Sequence, residues 1–196
     1  MSDRRDDPAL TNELVIFNAP GVPRWPTGRS ADGGLDRVPL PFGTGALWMC
    51  GKHRVGPDPE AVLRSIDATT IVCLTQRDEL ADRYPSYVAW LDQHHPMRAV
   101  WYPVHDLSVP AFDLFVVHIA HLRERLERGE HLVVHCGAGI GRAGTYVTAL
   151  LMAMDVPQQQ ALDHVRAHRP MAGPEVGTQR LLIDSYAAYL ETSRSD

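Results

Sequence analysis

Cys136 and Arg142 stand six positions apart with glycines at 137, 139 and 141 between them, a pattern suited to chemistry on a tetrahedral anion. A thiolate is a nucleophile, a guanidinium offers a planar fork that meets two phosphate oxygens at once, and glycines let the backbone curl its N–H groups into a nest. The apolar run Leu132 to Val134 before Cys136 reads as a buried strand, and an apolar helical pattern follows Arg142. N–H groups at a helix start have no intrahelical partners, and the helix dipole adds positive potential there. Gly137, Ala138, Gly139, Ile140, Gly141 and Arg142 are therefore a candidate phosphate-binding loop. Cys136 faces the bound phosphorus, and the helix start and the guanidinium both favour its thiolate.

Cys-x5-Arg preceded by His135 resembles the signature loop of the cysteine-dependent protein tyrosine phosphatases, and the short chain is most similar to their dual-specificity branch. Thr75-Gln76-Arg77-Asp78-Glu79-Leu80 resembles the segment after the corresponding strand in the cyclin-dependent-kinase-associated phosphatases. Outside that resemblance, Arg77, Asp78 and Glu79 read as a charged helix start. One departure stands at Ala143, where the family usually carries Ser or Thr to help the thiolate leave. Phosphatases of regenerating liver also carry alanine there, and the implication is a slow turnover of phosphocysteine, with Thr145 as a substitute donor. His135, next to Cys136, reads as organising the loop by hydrogen bonding rather than transferring protons. Gln179 resembles the family glutamine that positions water for the second step; the alternative is an exposed helix glutamine.

This chemistry needs a proton donor for the leaving oxygen, carried on a loop separate from the nucleophile. Asp106 lies 30 residues before Cys136, between Pro103 and Pro110, the kind of place the family's general acid occupies. The alternative for Asp106 is a helix cap or a solvated side chain. Positions 138 and 140 are Ala and Ile, so the basic residues of the lipid-phosphatase relatives are missing and protein substrates are favoured.

Other readings of the loop are weaker. Gly139-x-Gly141-x-x-Gly144 also satisfies the dinucleotide fingerprint, but no earlier βαβ half with an acidic partner precedes it. No Gly-Lys-Ser/Thr follows, as an ATP loop requires, and a structural cysteine would not explain three glycines and the arginine spacing. His164 and His168 stand four apart on a predicted helix, but without the glutamate of the zinc-protease motif they read as solvated, and no metal is expected.

The remainder of the chain positions these residues. Its 196 residues, 44% hydrophobic and 22% charged, suit one domain, read as 10–192 after a disordered lead-in at 1–9. The net charge of −5 does not suggest a nucleic-acid surface. Neither a signal peptide nor a membrane-length apolar run is present, and three cysteines make no disulfide framework, so the expected setting is reducing cytoplasm. Cys50 and Cys73 read as core residues, with a resolving role toward an oxidised Cys136 as the alternative. Expected strands are Leu14–Phe17, Ala46–Cys50, Ile71–Leu74, Arg98–Tyr102 and the signature strand. Residues 18–45 read as a long Pro/Gly-rich loop, with Arg24 and Trp25 as surface residues. Helices are predicted at Pro59–Ile66, Tyr84–Gln93, Phe112 to Leu126 ending at Gly129, Arg142–Met154, after Pro157, and from near Pro174. His118 and His121 are expected at the polar boundary of their helix. Strands alternating with helices predict an α/β fold, a central mostly parallel sheet of four to five strands with helices on both faces. The resemblance makes that fold phosphatase-like and the activity that of a hydrolase of phosphotyrosine, with phosphoserine and phosphothreonine open, acting as a monomer on phosphorylated proteins without a cofactor. The competing class is a slow or degenerate phosphatase kept as a phosphoprotein-binding module.

Overall fold

The computed structural model describes residues 32–195. The expected strand at Leu14–Phe17, the lead-in at 1–9, and Arg24 and Trp25 lie outside the described residues. Five strands, β1 (Leu35–Arg37), β2 (Ala46–Gly51), β3 (Thr70–Cys73), β4 (Ala99–Trp101) and β5 (His131–Cys136), form one sheet in the order β1-β2-β5-β3-β4. β2, β5, β3 and β4 are parallel, and β1 pairs antiparallel with β2 at the edge. β1 corrects the expectation of an unstructured 18–45 loop. With Asp and Arg at two of its three positions it shows no apolar alternation, and it is recruited by the free edge of β2.

Short helices follow β2: α1 (Lys52–Val55) and α2 (Pro59–Ser65), the latter begun by Asp58, whose side chain accepts from Ala61 N at 2.8 Å, with Pro59 in the first turn. α3 (Asp78–Ala81) and α4 (Pro85–His94) follow β3, and α5 (Phe112–Glu127) follows β4. α5 stops at Gly129, which takes φ +84° and donates to Leu126 O at 2.9 Å. After β5 come α6 (Gly141–Ala153), α7 (Gln158–His168) and α8 (Gly177–Ser195).

Alternation along β5 divides the core into two layers. Leu132, Val134 and Cys136 join the side built by Phe115, Ile119 and Leu122 of α5, by α6, and by residues of α7 and α8. Val133 joins the opposite side, with Cys50, Cys73, Leu63 of α2 and Tyr87 and Leu91 of α4. Every residue of α6 is buried, so the helix that opens at the glycine loop is the centre of its layer. His118 departs from the expected polar boundary. It is buried, its ring stacks on Tyr102 with centroids 3.5 Å apart, and Nδ1 meets Tyr146 Oη at 2.9 Å. His164 is also buried, with Nε2 donating to Pro39 O at 2.9 Å, and so is not the solvated histidine the sequence suggested.

Candidate active site

The carboxyl ends of β2, β5 and β3 lie side by side, the usual ligand position in such sheets. β5 delivers Cys136 there, and the chain turns through Gly137–Ile140 into α6. The turn is held from outside. Gly137 O accepts from Lys52 N at 2.9 Å, Ile140 O from Gly144 N at 2.8 Å, and Ala138 O and Gly139 O from the Arg169 guanidinium at 2.7 and 2.6 Å. The N–H groups of residues 138 to 141 donate to nothing among the described residues. A row of unsatisfied donors at a helix start is an anion nest. Gly139 is required here: its φ is +74°, and a Cβ would stand 2.2 Å from Cys50 O. At Gly144 a Cβ would meet Gly173 N at 2.1 Å, so two of the three fingerprint glycines serve close backbone approach.

Arg142 is almost fully enclosed. Nη1 and Nη2 donate to the two carboxylate oxygens of Glu79 at 2.6 and 2.8 Å, and Nη1 also reaches Val104 O at 2.7 Å. Nη2 lies 3.0 Å from Asp106 Oδ1. The buried Nε has no hydrogen-bond partner among the described residues. For Glu79, burial works against ionisation, but the bonds from Arg142 and from Gln76 N, with the charges of Arg142 and Lys52, outweigh it and hold its carboxyl below the usual range. Asp106, by contrast, has a side chain 69% exposed at the mouth. The fork is thus fixed on one side by Glu79 and faces an accessible acid on the other.

His135 is buried beneath the loop, where its Nε2 shares a 2.6 Å hydrogen bond with Tyr87 Oη and Nδ1 lies 3.2 Å from Cys136 O. Burial pushes its pKa down to about 4, leaving a neutral ring suited to organising the loop. Gln179 is buried, accepting from Glu175 N at 2.8 Å and donating to Ser108 O at 3.4 Å. It ties α8 to the loop that carries Asp106, a correction to the exposed alternative. Thr145 donates its hydroxyl to Gly141 O at 2.8 Å. Its proton is committed to the helix backbone, so in this conformation it is not the substitute donor expected beside Ala143. Cys50 and Cys73 lie across the sheet from Cys136, with burial pushing both thiols up to about 12. That is the behaviour of core residues.

Two side chains beside the loop carry no local signal in the sequence. Glu79 was one of three charges at a helix start, with nothing local to indicate a partner 63 residues away. Arg169 marked only a helix end before Pro170, yet it is fully buried, and its pairing with Asp36 at 2.5 Å connects β1 to the glycine loop.

Residues 46–184 match the family described as PTP-SAK, the Swiss Army Knife protein DSP-PTPase phosphatase domain. The chain belongs to this dual-specificity-like cysteine phosphatase family. It is 38% identical over 101 residues to dual specificity protein phosphatase 22 of Homo sapiens, covering 47% of this chain and 55% of that protein. It is also 40% identical over 62 residues to dual specificity protein phosphatase 1 of Arabidopsis thaliana, 31% of each chain. The chain spans about half the length, or less, of these relatives. The fold is shared with a kinase associated phosphatase whose catalytic-site cysteine is replaced by serine (TM-score 0.67, 19% identity, 81% of this chain and 96% of that one). It is shared too with the human tyrosine phosphatase-like serine/threonine/tyrosine-interacting protein (TM-score 0.62, 22% identity, 80% and 97%). Among the described residues no helix is long and apolar enough to cross a membrane.

Proposed function

We propose that the protein is a protein phosphatase that hydrolyses phosphotyrosine, and phosphoserine or phosphothreonine where they reach the pocket, through a phosphocysteine intermediate. One observation carries this: Arg142, clamped by Glu79 and 3.0 Å from Asp106, keeps a buried Nε with no hydrogen-bond partner among the described residues, and it directly follows a run of loop N–H groups, after Cys136, that donate to nothing among them. A phosphate dianion satisfies all of them at once.

In the first step the Cys136 thiolate attacks phosphorus in line. The S–P bond forms as the P–O bond to the leaving group breaks, while Arg142 and the loop amides hold the equatorial oxygens. Asp106 gives its proton to the leaving oxygen. Water then attacks the phosphocysteine, passing a proton to Asp106, and the S–P bond breaks to return the thiolate and inorganic phosphate. His135 supports the loop from below, and Gln179 braces the Asp106 loop through Ser108 and is the candidate for positioning the water. No step calls for a metal or cofactor. Three free cysteines support a reducing, cytoplasmic setting, and a monomer acting on phosphorylated proteins fits a site built from one chain. The test is turnover of an aryl phosphate by wild type, Cys136→Ser and Asp106→Ala in the presence of chelator. Activity in wild type that vanishes in Cys136→Ser supports the assignment, and equal activity in the serine variant excludes this nucleophile.

Ala143 favours a second reading, a slow enzyme that holds phosphoproteins. The position is fully buried and supplies no hydroxyl, and Thr145 is engaged elsewhere. A burst of leaving group followed by a slower steady state, with the steady state raised in Ala143→Ser, is the expected signature. A linear time course unchanged by that substitution contradicts it.

A further inference from the structure

Hydrolysis of a phosphocysteine needs a water held in place, and Gln179, whose type suits that task, is engaged elsewhere. It is 1% exposed, its Oε1 accepts from Glu175 N at 2.8 Å, and its Nε2 donates to Ser108 O at 3.4 Å. Both partners are backbone groups of loops that flank the glycine loop. Ser108 follows closely on Asp106, and Glu175 lies in the turn between α7 and α8. One buried amide therefore fixes two loops relative to each other, and each loop carries a carboxylate.

The second of these carboxylates meets the glycine loop itself. Gly173 N donates to Ile140 O at 3.3 Å, which docks the turn onto the start of α6. A Cβ built on Gly141 would stand 2.0 Å from Glu175 Oε2, 2.9 Å from its Cδ and 3.1 Å from its Cγ. The glutamate side chain therefore lies across Gly141, the last loop residue before Arg142, in space that only a glycine leaves open. Glu175 is exposed, and its carboxylate makes no hydrogen bond or ion pair among the described residues. It differs in this from Glu79, both of whose oxygens are held by Arg142. A carboxylate with its lone pairs open to solvent is an acceptor for water.

We propose that Glu175 holds the attacking water in the second step, accepting a hydrogen bond from one of its protons while the other passes to Asp106. The proposal rests on the phosphatase reading of the loop. The water oxygen bonds to phosphorus as the S–P bond breaks, the electron pair of that bond returns to Cys136 Sγ, and the proton that Glu175 accepts from stays on the product phosphate. Gln179 then acts through Glu175, by fixing its backbone. The first step involves no water, so Glu175 contributes to the second step alone. Ala143 supplies no hydroxyl to the departing thiolate, which leaves that step dependent on how well the water is held.

The experiment separates formation of the phosphocysteine from its loss. Wild type, Glu175→Ala and Glu175→Gln are mixed with an aryl phosphate, quenched in acid at intervals before and after the substrate is diluted away, and mapped for phosphoryl on Cys136 by mass spectrometry. The brace to Gln179 uses Glu175 N, so both substitutions retain it. Glu175→Ala should form the intermediate within about 3-fold of the wild-type rate and lose it about 10^2-fold more slowly, so that phosphorylated Cys136 accumulates, because the water is no longer aligned for attack. Glu175→Gln, whose amide oxygen still accepts from water, should fall between the two. A loss slowed by less than about 5-fold in Glu175→Ala, or formation and loss slowed by the same factor, overturns the role of Glu175 and leaves the phosphocysteine pathway standing. No phosphoryl group on Cys136 in any of the three proteins overturns that pathway and the proposal with it.

Discussion

Two arginines lie buried at opposite ends of the same sheet and are used in opposite ways. Arg125 sits at the amino ends of β3, β4 and β5, where Nε donates to Glu130 at 2.7 Å, Nη1 to Pro96 O at 3.2 Å, and Nη2 to Thr70 Oγ1 at 2.8 Å and Met97 O at 2.5 Å. Every nitrogen is engaged. Arg142 sits at the carboxyl ends with a similar number of bonds through its two Nη atoms, but its buried Nε has no partner among the described residues. An orphaned buried donor costs about 1–3 kcal/mol, a cost that a bound acceptor removes. The saturated arginine is a clamp between strand starts, and the unsaturated one keeps a donor for the proposed phosphate.

That contrast is broken most strongly by exchanging what each arginine loses. Arg142→Met should lower kcat/KM on the order of 10^3-fold or more, because the fork that holds the transferring oxygens is gone. Arg125→Met should leave kcat/KM of the folded protein within about 2-fold, yet cost about 1–3 kcal/mol of stability by leaving the Pro96 and Met97 carbonyls without their donor, read by urea unfolding. An Arg125 variant that is stable but inactive would erase the distinction.

Arg169 sharpens it, since it is saturated like Arg125 but stands at the functional end. Arg169→Met should release the Ala138 and Gly139 carbonyls and reduce kcat/KM by about 10^2-fold through misplacement of the loop. Vanadate affinity should fall with it, whereas loss of stability alone would leave the kinetics of the folded fraction intact. The smallest effect concerns pH. Burial pushes the pKa of His135, His118 and His164 down to about 4, from 6.5 in an open chain. The unfolded chain therefore takes up protons first, so the stability from these groups is complete above pH 6.5, falls as pH drops toward 4, and levels off below it. Melting temperature against pH should show this decline, and His135→Gln should make it shallower.

The parts of the molecule legible in the sequence were those whose signal is local. β2, β3, β4 and β5 are short apolar runs bounded by turns, and α5 carries its own period and its own terminating glycine. The glycine loop declared itself because one contiguous stretch holds the proposed nucleophile, the donors and the fork. β1 was not legible because its three residues derive their strand character from a neighbour's edge. Glu79 and Arg169 were missed for the same reason, since each meets the loop or its arginine only after folding. His118 and Gln179 look like surface polar residues in a helical repeat. They are buried because Tyr146 and Ser108, far away in sequence, supply their partners.

The central claim is that Cys136 carries the phosphoryl group during turnover. Wild type mixed with a phosphotyrosine peptide, quenched rapidly in acid and mapped by mass spectrometry, should carry one phosphoryl group on Cys136, formed as fast as the first turnover and absent from Cys136→Ser. Phosphate release without any phosphoryl group on Cys136, or release undiminished in Cys136→Ser, would contradict the account.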